Sequence, residues 1–269
     1  MKQPTTPCWF RLPSGLRLLW LLWGLISAPL RRRYGWHPDR LHAVLIVRDL
    51  YSPLPALVEA LHAEGIPYAQ ILLLNTGSSA PPCLAMLKQL QQRGCRILTA
   101  SPATLGQGPY SIWLDPSLAL PAGFWSYPFV LSDPDLDLAG IPRGWLCTLM
   151  LLLHQQRWTS KIALGLRTDD LTAPAVDAVR HWEHQLSQRF PYGLLNRLMP
   201  NRALPTRICS TDTTLALYRP LRHFTTLAIR LEGPYRMRHL PWYAGFVQTP
   251  EYGYYQSHKQ PAFGHWSSR

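Results

Sequence analysis

The chain has 269 residues, 47% of them hydrophobic, and a formal net charge of +12. That is enough apolar material for one large domain, and the charge favours anionic partners such as nucleotide phosphates or acidic headgroups without choosing among them. Cys8, Cys83, Cys95, Cys147 and Cys209 are odd in number and form no CxxC pair, which argues against a disulfide framework or a zinc site and fits a reducing cytosol.

The first element is an uncharged run at 18–30, about 13 residues long, short of the roughly 20 that a membrane-spanning helix needs. Lys2, Arg11 and Arg17 precede it, Arg31, Arg32 and Arg33 follow, and Trp20 and Trp23 lie inside, the pattern of a shallow in-plane anchor on an anionic membrane. A basic flank and an apolar core also match a signal peptide, with Ser27 and Ala28 as small residues for cleavage, and a core helix of the soluble domain is the third reading. The cysteine usage argues against secretion. Residues 1–40 are therefore set apart from a domain over 41–247.

Beyond Arg40, short apolar runs alternate with helical stretches. Residues 43–47 predict a strand, and 53–64 a helix with Leu54, Leu57, Val58 and Leu61 on one face. The signal repeats with a strand at 69–74, a helix at 81–92 carrying Leu84, Leu87, Lys88 and Gln91, and a strand at 95–99 ended by Ser101-Pro102. Such a βαβαβ start implies an α/β fold with a mainly parallel, Rossmann-like sheet and right-handed crossovers. A strand at 128–131, a helix at 145–156, a strand at 161–166, a helix at 174–189 with Val176, Val179, Trp182 and Leu186 as its stripe, and a strand-like 213–218 follow. Residues 248–269, rich in Tyr, Gly and Ser, show no period and read as an irregular tail, either covering the acceptor side or disordered.

No GxGxxG, GxxxxGK[ST] or GxSxG occurs, so a dinucleotide fingerprint, a P-loop and a nucleophile elbow are all missing. The aromatic residues are not interleaved with basic ones in any recognisable module, so nucleic acid is not expected as a partner. Acidic residues gather instead after the predicted strands: Asp49, then Asp133 and Asp135, then Asp169 and Asp170. Open α/β sheets bind ligands at those carboxyl ends. Pro134 denies the ladder a donor and pushes Asp133 into extended backbone, so the strand stops there and both carboxylates can reach the crevice. A hard divalent cation takes one or two such carboxylates, with water and phosphate oxygens completing its shell. A solvated turn or a helix cap is the competing reading of the same pair.

Five blocks extend the pattern: SDPD at 132–135, LGLRTDDL at 164–171, VRHWE at 179–183, DTTLALYR at 212–219 and GPYRMRHLPWY at 233–243. In that order they resemble a group of bacterial GT-A-type, family-2-like glycosyltransferases of surface polysaccharide synthesis. The resemblance implies a GT-A-like single large domain, a Mn²⁺ or Mg²⁺ cofactor, a nucleotide-diphosphate sugar donor and a saccharide or lipid-linked acceptor. The cysteine usage and the basic, apolar N-terminus point separately to the cytoplasm, with a peripheral place at the inner face of the cytoplasmic membrane as the anchor reading's consequence. The resemblance also implies Asp133, Asp135 and His239 as metal ligands, and Arg236 and Arg238 as a diphosphate clamp. Asn75 stands at the end of the second strand, where many such enzymes carry an aspartate toward the nucleoside. A base for the acceptor hydroxyl is sought among Asp169, Asp170, Glu183 and Asp212, with Asp212 and Asp170 favoured. The Glu-Asp pair that often supplies it is missing before His239, where Glu232 is the nearby acid. A non-catalytic membrane-surface protein that keeps the fold is the rival reading.

Overall fold

His42–Val47, strand β1, is buried along its whole length, which is why it reads as a continuous apolar run rather than an alternation. It belongs to a computed structural model of the chain that describes residues 40–156, 158–172, 175–188, 191–198, 204–222 and 224–259. The chain divides into two compact units, Met1–Pro38 and Asp39–Arg269, and every described residue lies in the second. The expected N-terminal anchor therefore falls outside the described residues. Among these, no helix is long and apolar enough to cross a membrane.

β1 pairs in parallel with β2 (Ile71–Asn75) and β4 (Phe129–Ser132), and β2 with β3 (Arg96–Thr99). The crossovers are helix α1 (Leu54–Ala63), which buries Leu54, Leu57, Val58 and Leu61 as the spacing predicts, and α2 (Pro81–Gln92). In α2 the buried face is Cys83, Leu87 and Leu90, a correction to the expected stripe. Leu84, Lys88 and Gln91 are exposed, because the small apolar Cys83 heads a better i, i+4, i+7 row. A short helix α3 (Ser111–Leu114) precedes β4, then come β5 (Leu136–Asp137), α4 (Trp145–Gln155) and β6 (Lys161–Leu166). Helices α5 (Ala175–Gln188) and α6 (Tyr192–Leu198) lead to β7 (Thr206–Ser210), β8 (Ala216–Tyr218) and β9 (Leu227–His239). Short helices α7 (Ala244–Val247) and α8 (Pro250–His258) close the described chain.

The nine strands form one mixed sheet in the order β3-β2-β1-β4-β8-β6-β9-β5, with β7 also on β9. β1, β2, β3, β4, β6 and β9 run one way and β5, β7 and β8 the other, so the sheet is mainly parallel, flanked by helices, as the alternation of elements predicts. β8 was not foreseen as an antiparallel wedge between β4 and β6. Leu215, Ala216 and Leu217 are fully buried there.

β9 brings distant residues to the centre. Its first half pairs with Ile162–Leu164, then the register jumps, so that Leu164 faces Leu231 and Gly165 faces Arg236. Gly233 turns the intervening loop with φ 69°, and Gly165 lets the strands approach: a Cβ there would lie 2.9 Å from the Leu231 carbonyl oxygen. The second half of β9 pairs with β5, setting His239 opposite Leu136.

Glu183, one of the eligible bases, is buried on α5 in line with Val179 and Ser187. Its Oε2 accepts from Arg230 Nη1 at 2.5 Å and lies 3.4 Å from Arg207 Nη2. Arg230 is itself 2% exposed and donates from Nε to Thr211 Oγ1 at 2.8 Å. This is a buried ion pair, and Glu183 does not line the cavity at the carboxyl ends of β1, β2 and β4. Glu183→Gln would leave a buried guanidinium uncompensated, and a loss of about 3 kcal/mol or more is expected in urea denaturation. A change near zero would show that water reaches the pair.

The tail departs from expectation, because 250–258 is helical. Thr249 caps it by accepting from Tyr252 N, Pro250 opens it, and Glu251 sits in its first turn. Its tyrosines face several surroundings, so no apolar period betrays it. Residues 260–269 lie outside the described part.

Candidate functional site

The carboxyl ends of β1, β2 and β4 open into a cavity of about 240 Å³. Arg48 and Thr76 line it from β1 and β2, Asp133, Pro134 and Asp135 from the end of β4, Asp212 and Thr213 from the approach to β8, and His239 from the end of β9. Tyr110 closes one side, and Tyr252, Tyr255, Gln256 and Lys259 close another.

Asp133 is fixed through its backbone and its side chain. Its N–H donates to Thr213 O at 3.0 Å, and the Thr213 hydroxyl donates to its carboxylate. Burial pushes the Asp133 carboxyl well above the usual range, Asp135 adds repulsion, and the Thr213 hydrogen bond only partly opposes them. Asp135 is held by the β5–β9 ladder, its carbonyl accepting from Leu240 N at 2.9 Å. His239 Nε2 lies 3.6 Å from Asp135 Oδ2, and Trp242 meets the His239 ring edge-on at 4.9 Å. Burial lowers the His239 pKa, against the pull of Asp135, which favours the neutral imidazole that a metal requires.

Among the described residues, no group of three or more His, Cys, Asp or Glu side chains is arranged to hold a metal ion. Asp135 Oδ1 and His239 Nδ1 are nevertheless buried without a hydrogen-bond partner. Buried polar atoms ordinarily have one. Two carboxylates and an imidazole bordering one open cavity fit a hard cation that keeps several positions for water and phosphate.

Beside the pair lies Lys161, the first residue of β6, fully buried. All three of its N–H donors are used: Thr211 O at 2.7 Å, Asp212 O at 2.8 Å and Tyr218 Oη at 3.0 Å. Burial pushes its ammonium down to about 7. It thus clamps the backbone from which the Asp212 side chain reaches the cavity and from which Thr213 grips Asp133.

The remaining sequence candidates do not line the cavity. Arg236 Nη2 lies 3.2 Å from Asp169 Oδ2, while Arg238 Nε lies 2.7 Å from Asp170 Oδ2 and its Nη1 3.7 Å from Asp137. Tyr243 Oη also donates to Asp170 at 2.7 Å. Burial raises the Asp170 carboxyl, but the hydrogen bonds from Tyr243 and Arg238 outweigh it and hold the group low, which suits an ion pair and not a base. These charges neutralise one another because the ends of β6 and β9 lie side by side. Asn75 Oδ1 accepts from Gly77 N at 3.1 Å and Ser78 N at 2.8 Å, shaping the turn after β2. Glu232 pairs with Arg207 at 3.0 Å. Asp49, held at φ 55°, accepts from Ser79 N and Ala80 N at 2.7 Å and so anchors the start of α2.

Sequence reasoning missed Arg48, Lys259 and the tyrosines of α8. The position of Arg48 directly after the first strand was a usable signal, as was the Thr-Pro-Glu start at 249–251.

No family model matches the chain, and no curated protein does. Solved structures resemble it at low identity. Glucosyl-3-phosphoglycerate synthase from Mycobacterium tuberculosis, in complex with phosphoglyceric acid, is 12% identical with a TM-score of 0.39, over 67% of this chain and 56% of that one. The same synthase with Mn²⁺, uridine-diphosphate-glucose and phosphoglyceric acid is 14% identical with a TM-score of 0.36, over the same shares, 67% and 56%. A mannosyltransferase from Pyrobaculum calidifontis in complex with GDP-Man and Mn²⁺ is 10% identical with a TM-score of 0.36, over 56% of this chain and 47% of that one. The chain spans about half the length of these structures.

Proposed function

We propose that the protein is a divalent-metal-dependent glycosyltransferase of GT-A type that moves a hexosyl group from a nucleotide-diphosphate sugar to an acceptor hydroxyl. The observation that carries this reading is the juxtaposition of Asp133, Asp135 and His239 at one cavity, with buried polar atoms of Asp135 and His239 left without a protein partner. Mn²⁺ or Mg²⁺, when bound, neutralises the diphosphate leaving group. Asp212 is the base candidate that borders the cavity. It takes the acceptor proton as the acceptor oxygen attacks the anomeric carbon and the nucleoside diphosphate departs. A thermal-shift screen of nucleoside diphosphates and nucleotide sugars, with and without Mn²⁺, tests the reading. A rise that requires both ligands supports it, and no rise with any pair removes it.

The acceptor in this reading is a saccharide or a lipid-linked one of bacterial surface polysaccharide synthesis, met at an anionic membrane. Leu221 and Leu114 are 76% and 57% exposed, and the backbone at Leu221 sits at φ 56°, a conformation that leucine disfavours. Leu114 ends the short helix that follows Tyr110, which borders the cavity and packs on Phe224 at 4.6 Å, and Leu221 N donates to the Trp125 carbonyl at 3.1 Å. Sedimentation with anionic vesicles is expected to carry the parent down and to lose Leu114→Asp/Leu221→Asp. Equal sedimentation of both would leave the patch without this role.

A further inference from the structure

We propose that α8 is the roof of the donor site and that Lys259, at its carboxyl end, forms with Arg48 a cationic subsite for the diphosphate. This rests on the reading of the cavity as a nucleotide-sugar site, but it assigns the phosphate contacts to residues outside the five family blocks.

The helix is fastened at both ends to the segment that follows β1. At its start, Glu251 is buried, and its Oε1 accepts from the backbone N–H groups of Tyr51 and of Ser52, the latter at 2.9 Å. At its end, Arg48 Nη2 reaches the His258 carbonyl at 3.5 Å while Nη1 reaches the Thr76 carbonyl at 3.3 Å. A guanidinium at a helix carboxyl terminus is favoured by the helix dipole. Between these points, Tyr254 Oη and Ser79 Oγ are 3.0 Å apart. A carboxylate that satisfies two backbone donors is a strong and directional tether. The nine-residue helix α8, too short to be stable alone, owes its place to these contacts.

The tether has a consequence for charge. Asp133, Asp135 and Asp212 all border the cavity, so an entering diphosphate meets carboxylates of its own sign. One divalent cation offsets only part of that charge. Among the described residues, Arg48 and Lys259 are the lysine and arginine side chains on the cavity wall. Arg236 and Arg238, paired with carboxylates elsewhere, are not. Burial lowers the Lys259 ammonium pKa, and an anion beside it would oppose that shift. Lysine serves phosphate as a compact point charge and suits a multi-oxygen ligand whose pose the metal sets.

The test is calorimetric titration of the full chain with inorganic pyrophosphate in the presence of Mn²⁺. Lys259→Ala is expected to weaken pyrophosphate binding by about tenfold or more, the scale of one charge-assisted hydrogen bond. Lys259→Arg should keep most of the affinity, and Lys88→Ala on the exposed face of α2 should keep all of it. Glu251→Gln, which loosens the tether, should weaken pyrophosphate while leaving Mn²⁺ binding alone unchanged. Parent-like melting of the Lys259 variant keeps its result interpretable even where Glu251→Gln fails to fold. If Asp133→Asn loses pyrophosphate while Lys259→Ala binds as the parent does, the donor site stands and the roof subsite is overturned. If the parent takes no pyrophosphate with Mn²⁺, both fall.

Discussion

Changing Asp133 and Asp135 together to asparagine is expected to lower Mn²⁺-dependent binding of a nucleoside diphosphate by at least about 100-fold, since even groups that merely orient metal ligands are worth 10- to 100-fold. The same variant is expected to melt higher than the parent in metal-free buffer at neutral pH. The sign follows from Asp133, whose carboxyl is held well above its usual value by burial and then by Asp135. A group whose folded pKa is raised contributes stability below its unfolded value, near 3.9, and loses that contribution as pH rises through the folded value. Relative to the asparagine variant, the metal-free parent therefore loses stability as pH rises above the unfolded value of the carboxyl, and Mn²⁺ restores it by binding its folded state. Retained metal-dependent binding in the double variant would remove Asp133 and Asp135 from the site. A parent that gains metal-free stability relative to the asparagine variant as pH rises would contradict the electrostatics.

The second large effect concerns Asp212. Asp212→Asn is expected to lower kcat by about 10²- to 10⁴-fold, the span typical of a lost general base, with donor binding nearly unchanged. Asp170→Asn serves as the contrast. Its carboxylate is engaged by Arg238 and Tyr243 and does not border the cavity, so kcat should move little while the local ion pairs loosen. Lys161 holds the Asp212 carbonyl at 2.8 Å, so the backbone that carries the Asp212 side chain is tethered. A collapse of kcat in Asp170→Asn, with Asp212→Asn active, would reverse the assignment.

β1, α1 and β6 were legible because their residues are buried as continuous runs or regular stripes. β9 was hidden by its own composition. Leu227–His239 carries Arg230, Glu232, Gly233, Pro234, Arg236 and Arg238, which break up any apolar strand pattern. It becomes a strand because β6, β7 and β5 supply partners from distant parts of the chain, and because the Gly165 and Gly233 positions allow the slip in register. Glu183 misled for a related reason: it lies on the apolar row of α5, yet it is kept there by Arg230 and Arg207, which no local pattern announces.

At the site, Asp133 and Asp135 could be read from a strand broken by proline, since chain geometry there is local. The nearness of His239 to them is a tertiary fact delivered by β9. The positive charge on the cavity wall was assigned to the arginine-rich block at 236–238 because those residues are dense in sequence. Density in sequence did not survive folding, since Asp169 and Asp170 neutralise them. The cations that do face the cavity, Arg48 and Lys259, are isolated in sequence and meet only when α8 folds back over the end of β1.

Crystals of the full chain grown with Mn²⁺ and uridine or guanosine diphosphate, measured at a wavelength where manganese scatters anomalously, test the assignment of Asp133 and Asp135 to the metal. A manganese peak is expected about 2 Å from a carboxylate oxygen of Asp133 or Asp135, with the diphosphate extending from the metal toward Lys259. A diphosphate bound elsewhere, or a manganese peak among Asp169, Asp170 and Arg238, would contradict this arrangement.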